Sequence, residues 1–68
     1  MRPATLRRQI DVLIDWQEEF RPASDAHRIH SGATAELLRK ALPMETRVTE
    51  AAEGSIFHYR GRQIVAKP

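Results

Sequence analysis

No cysteine occurs in this chain of 68 residues, which removes disulfides, thiolate-held zinc and iron–sulfur clusters as sources of stability or chemistry. Long apolar runs are missing too: nothing approaches the roughly 18 residues that a membrane span requires. The opening MRPATLRRQ leads into a helical pattern that contains acids, unlike the apolar core of a signal peptide. Only three glycines are present, and they form neither a Gly-x-Gly-x-x-Gly pattern nor a phosphate-cradling loop. Lysine is scarce, since Lys40 and Lys67 are the only two among eleven basic residues. These absences lead us to expect a soluble, cytoplasmic protein without cofactor or membrane contact.

What is present fits one small domain spanning residues 1–68. A chain of this size buries only about 60% of its unfolded surface, so its stability margin is thin. Without a disulfide or thiolate-bound metal, oligomerisation becomes an attractive source of further burial. The net charge of +2, from eleven basic and nine acidic residues, is too small to indicate nucleic acid by itself, because a clustered patch matters more than the total.

Pro3 suits a first helical turn, and Pro22 disfavours helical geometry at Arg21, so a first helix is expected over about 3–20. Helical spacing aligns Leu6, Ile10, Leu13, Gln17 and Phe20, with Ile14 on one flank and Val12 and Trp16 on the other. The resulting apolar arc of roughly 200° is about twice what a surface helix needs. Arg7, Arg8, Asp11, Asp15, Glu18 and Glu19 share the opposite, solvated face. Their order opposes the helix dipole, with bases first and acids last.

The stretch RPASDAHRIHSGA reads as a connector with a short helical turn capped by Ser24. A second helix over about 32–42 follows, capped by Ser31 or Thr34 and stopped by Pro43, with Glu36 placed four residues before Lys40. Glu53-Gly54 and Arg60-Gly61 then read as two-residue hairpin turns. They join three antiparallel strands at about 46–52, 55–60 and 62–67.

This register pairs Tyr59 with Arg62, Phe57 with Ile64, Ile56 with Val65, Val48 with Tyr59 and Ala51 with Ile56. Val48, Phe57, Tyr59 and Ile64 share the helix-covered face, where Glu50 and Arg62 are misfits. The other face carries Ala51, Ile56, Val65, Thr49, His58 and Gln63, with Arg47 beside Arg60. The expected fold class is therefore α+β, two helices on one face of a three-stranded antiparallel meander.

Chemistry is sparsely signalled. His27, His30 and His58 are the only strong nitrogen ligands, and their spacing makes no recognisable metal motif. The serines lack a nucleophile context, and the paired carboxylates Asp11/Asp15 and Glu18/Glu19 face water, where burial cannot separate their proton affinities. No catalytic, cofactor-binding or metal-binding residue is expected, and the chain is read as a non-enzyme.

Association is better signalled. The surplus apolar arc, with Trp16 at its margin, marks a partner surface. Two first helices packed antiparallel would set Arg7 and Arg8 of one chain beside Glu18 and Glu19 of the other. The expected protein interface is Arg7, Arg8, Val12, Trp16, Glu18, Glu19 and Phe20. The expected function is a small regulatory or inhibitory binding protein, a homodimer that occludes a surface on a protein partner. Its size and lack of cysteine match accessory proteins of phages, mobile elements and antitoxin systems.

The alternative is a DNA-binding regulator. In the order of its elements, the stretch from residue 24 to residue 60 resembles a winged helix-turn-helix. SGATAELLRKAL would be the reading helix and RVTEAAEGSIFHYR the wing. Arg39, Lys40, Arg47, His58, Tyr59, Arg60, Arg62 and Lys67 would then contact nucleic acid or another acidic partner.

Overall fold

The computed structural model describes residues 1–20 and 28–68. The turn expected around Ser24, and His27, lie outside them. Helix α1 runs over Pro3–Phe20, strand β1 over Arg28–Thr34 and helix α2 over Ala35–Ala41. Strands β2 (Arg47–Ala51), β3 (Gly54–Tyr59) and β4 (Arg62–Lys67) complete an α+β fold.

The sheet has four strands in the order β1-β4-β3-β2, not the three expected. β4 pairs antiparallel with β3 and parallel with β1, which makes the sheet mixed. The extra strand comes from RIHSGAT, read from sequence as part of a connector. Ile29 and Ala33 point into the core while Arg28 and His30 point away. A register irregularity between His30 and Thr34 interrupts its pairing with β4. Strand β1 stands between α1 and α2, and residues 31–34 of the stretch read as a reading helix belong to it.

The core lies between the helices and one sheet face. Leu6, Ile10 and Ile14 of α1 meet Leu38 and Ala41 of α2, Leu42, and Ile29, Ala33, Phe57, Ile64 and Ala66 of the sheet. Packing of this kind, rather than helix propensity, holds a seven-residue element such as α2. Thr34 caps that helix by accepting a 3.3 Å hydrogen bond from the Leu37 N–H, one of the two caps expected. The strand claims the residues before it, so α2 begins at Ala35 rather than near 32.

The β3–β4 hairpin has the expected register, Tyr59↔Arg62, Phe57↔Ile64 and Ile56↔Val65. Arg60 (φ 51°) and Gly61 (φ 75°) both adopt the left-handed backbone that a tight hairpin requires. The β2–β3 hairpin differs. It turns at Ala52-Glu53, so Val48 pairs with Phe57 and Ala51 with Gly54. An even slip of the pairing leaves every side chain on its expected face. It does move Arg47 opposite His58, so the expected Arg47/Arg60 pair of like charges is absent.

Candidate functional site

Helix α1 presents three faces, each with a different fate. The first, Leu6, Ile10 and Ile14, enters the core. The second carries the acids expected to face water; the β3–β4 hairpin borders it, leaving Asp11 half-buried and Asp15, Glu18 and Glu19 exposed. The Tyr59 hydroxyl donates to Asp11 Oδ1 at 2.6 Å. The Arg60 guanidinium reaches Asp11 at 3.2 Å, Asp15 at 2.6 Å and Glu18 at 3.5 Å. Arg62 Nε donates to Gln17 Oε1 at 3.0 Å, which explains a glutamine on the apolar line of α1.

These contacts give the reversed charge order of α1 a structural cause. The acids late in the helix are counter-charges for the hairpin tip. Burial, followed by the bond to Asp11, raises the Tyr59 pKa above its usual value. The carboxylates, Asp15 foremost, hold Arg60 more firmly protonated than usual. Two polar misfits on the helix-side sheet face are also resolved: Arg62 by Gln17, and Glu50, which is exposed, by the Ser55 hydroxyl, whose single proton is shared between the two carboxylate oxygens, each 3.0 Å from Oγ.

The third face of α1 is an exposed apolar stripe. Val12 is 58%, Trp16 48% and Phe20 61% exposed, with Leu13 at 38%. The rings of Trp16 and Phe20 are tilted by 42° to one another, their centroids 5.8 Å apart. Thr5, Arg8, Gln9, Val12, Leu13 and Trp16 line a shallow depression along the stripe. Of the charges expected at this interface, Arg7 lies 4.0 Å from Asp11 and Glu18 lies on Arg60. Arg8 and Glu19 are exposed and make no ion pair among the described residues.

The residues grouped by sequence as a nucleic-acid surface are dispersed. Tyr59, Arg60 and Arg62 are engaged by α1. On α2, Arg39 stands 5.6 Å over the Phe57 ring and Lys40 pairs with Glu36 at 3.5 Å. They border a cleft of about 350 Å³ floored by Leu38, Val48 and Phe57. Arg47 and His58 lie on the open sheet face, and Lys67 is exposed at the end of β4.

The same open face carries Arg28 and His30, which the sequence pattern assigns to a connector. Their alternation with Ile29 was the available signal. Among the described residues no three His, Cys, Asp or Glu side chains converge as metal ligands, and no helix is long and apolar enough to cross a membrane. Comparison with known proteins returns no match among family models, curated proteins or solved structures.

Proposed function

We propose that this protein is a small non-enzymatic binding module that acts through protein contact, and that the exposed stripe of α1 pairs with the same stripe on a second copy. The observation carrying this reading is the state of Val12, Leu13, Trp16 and Phe20. They stay open although Leu6, Ile10 and Ile14 of the same helix fill the core and Asp11 and Asp15 meet the β3–β4 hairpin.

Arg8 near the start of α1 and Glu19 near its end are complementary across an antiparallel pair and repulsive across a parallel one. A dimer joined in this way fits a regulatory or inhibitory protein that occludes a surface on its target. The cytoplasm is the compartment in keeping with a cysteine-free chain.

Trp16 is the only tryptophan, so its emission reports the interface directly. Light scattering at micromolar concentration should give a dimer, with tryptophan emission shifting to the red on dilution. Arg8→Glu should weaken the dimer, and adding Glu19→Arg should restore it. A monomeric wild type, or a double variant no better than Arg8→Glu, overturns the antiparallel pairing.

A further inference from the structure

We propose that the open face of the sheet, opposite the helices, binds single-stranded nucleic acid along its phosphate backbone. The strand registers place Arg28, Gln63, His58 and Arg47 in one row that crosses all four strands: Arg28↔Gln63, Gln63↔His58 and His58↔Arg47. The adjacent row on the same face is His30, Val65, Ile56 and Thr49. Lys67 continues the face along β4, two residues beyond Val65. The strands therefore supply three permanent cations and two histidines to this face, against the one carboxylate, Glu53, that the β2–β3 turn brings to Arg28.

The row is preorganised. Arg28 Nε donates to Gln63 Oε1 at 3.2 Å, and Thr49 Oγ1 lies 2.8 Å from His58 Nε2. Three strand spacings of about 4.8 Å separate its ends, so the arginines stand about 14 Å apart. A few nucleotides of extended chain span that distance. Ile56 and Val65 are each only 4% exposed, so they form a stiff apolar floor beneath the polar side chains.

Shape and chemistry together select the ligand class. Among the described residues this face presents no helix or ribbon to enter a major groove about 12 Å wide, which argues against a duplex. Gln63 and His58 combine donors with acceptors, matching base edges, whereas a carboxylate-rich peptide offers side-chain acceptors alone. Arg28 is meanwhile held by Glu53 at 3.3 Å, from the turn between β2 and β3. That carboxylate occupies the place a phosphate would take.

The test is fluorescence anisotropy with a short, labelled single-stranded oligonucleotide of mixed sequence, at low and moderate salt. Affinity should fall as salt rises. Arg47→Ala should weaken binding several-fold and flatten the slope of log K against log salt by about 0.7 for each lost phosphate contact. Glu53→Gln should strengthen binding several-fold, which mere loss of a structural ion pair would not do. Lys40→Ala on the helical side should leave it unchanged, and circular dichroism should confirm that each variant is folded. Absence of binding at low salt, equal binding of Arg47→Ala, or equal competition by a duplex or by polyglutamate overturns the proposal. None of these outcomes depends on the dimer, which uses the opposite side of the molecule.

Discussion

The Tyr59 hydroxyl donates a 2.6 Å hydrogen bond to the Asp11 carboxylate across a sequence separation of 48 residues. It ties the hairpin tip to the first helix. Tyr59 is the only tyrosine, so its ionisation can be followed by absorbance without interference from another phenol. It should titrate above the model value of 10.0 because burial and Asp11 both disfavour the phenolate. The folded pKa is raised, so the associated stability is present below pH 10 and is lost as pH rises through the folded value. Asp11→Asn should bring the titration down; an unchanged midpoint would contradict the role given to Asp11.

Arg60 joins two constraints that substitution can separate. Its φ of 51° is costly for any side chain with a Cβ, by roughly 1 kcal/mol, and free for glycine. Its ion pairs are partly exposed, each worth only about 0.2 to 1 kcal/mol. In urea denaturation Arg60→Ala should therefore be less stable than Arg60→Gly by about 1 kcal/mol. Equal stabilities would show that the turn does not hold this backbone.

Helix α1 should divide sharply between stability and association. Ile14 is fully buried, and Ile14→Ala should cost about 2 to 5 kcal/mol in denaturant unfolding. Val12→Ser, at a position 58% exposed, should change monomer stability by less than about 0.5 kcal/mol. It should nevertheless weaken self-association in sedimentation. A large loss of monomer stability in Val12→Ser would mean that the stripe serves the core.

Gly54 offers a test of the revised hairpin. Its φ is 121°, and the nearest atom to an added Cβ is the Ala66 carbonyl oxygen at 3.7 Å, an ordinary contact. Space is available, but the backbone conformation belongs almost to glycine alone. Gly54→Ala should lower stability by about 1 to 3 kcal/mol through backbone strain, seen as a lower urea midpoint with little change in slope. A neutral effect would place the turn elsewhere than Ala52-Glu53.

The second hairpin was legible because Arg60-Gly61 is a two-residue turn flanked by apolar alternation, which leaves one register. In the first hairpin the glycine misled. Gly54 opens β3 and pairs with Ala51 instead of sitting at the centre of the turn. Strand β1 escaped notice because only Ile29 and Ala33 face inward, and its Ser31 and Gly32 have loop-like chemistry. Serine is tolerated there because its hydroxyl reaches the Val65 carbonyl at 3.2 Å and accepts from the Ala33 N–H at 3.1 Å.

The apolar stripe on α1 could be read from helical spacing, and the structure leaves it exposed. The fate of its acids could not be read. Pairing Asp11 and Asp15 with Arg60 depends on contacts spanning 45 to 49 positions, which no local pattern records. The row on the open sheet face was hidden for the same reason, since Arg28 joins it only through a parallel strand contact.

The position of β4 also bears on how the molecule is made. It is the last of the described strands to be synthesised, yet it lies inside the sheet, with β1 on one side and β3 on the other. Until it leaves the ribosome, β1 has no neighbour with which to hydrogen-bond, and Ile29 lacks its cross-strand partner Ile64. Strand β1 therefore joins the sheet only through β4, which bridges it to the β2–β3 hairpin.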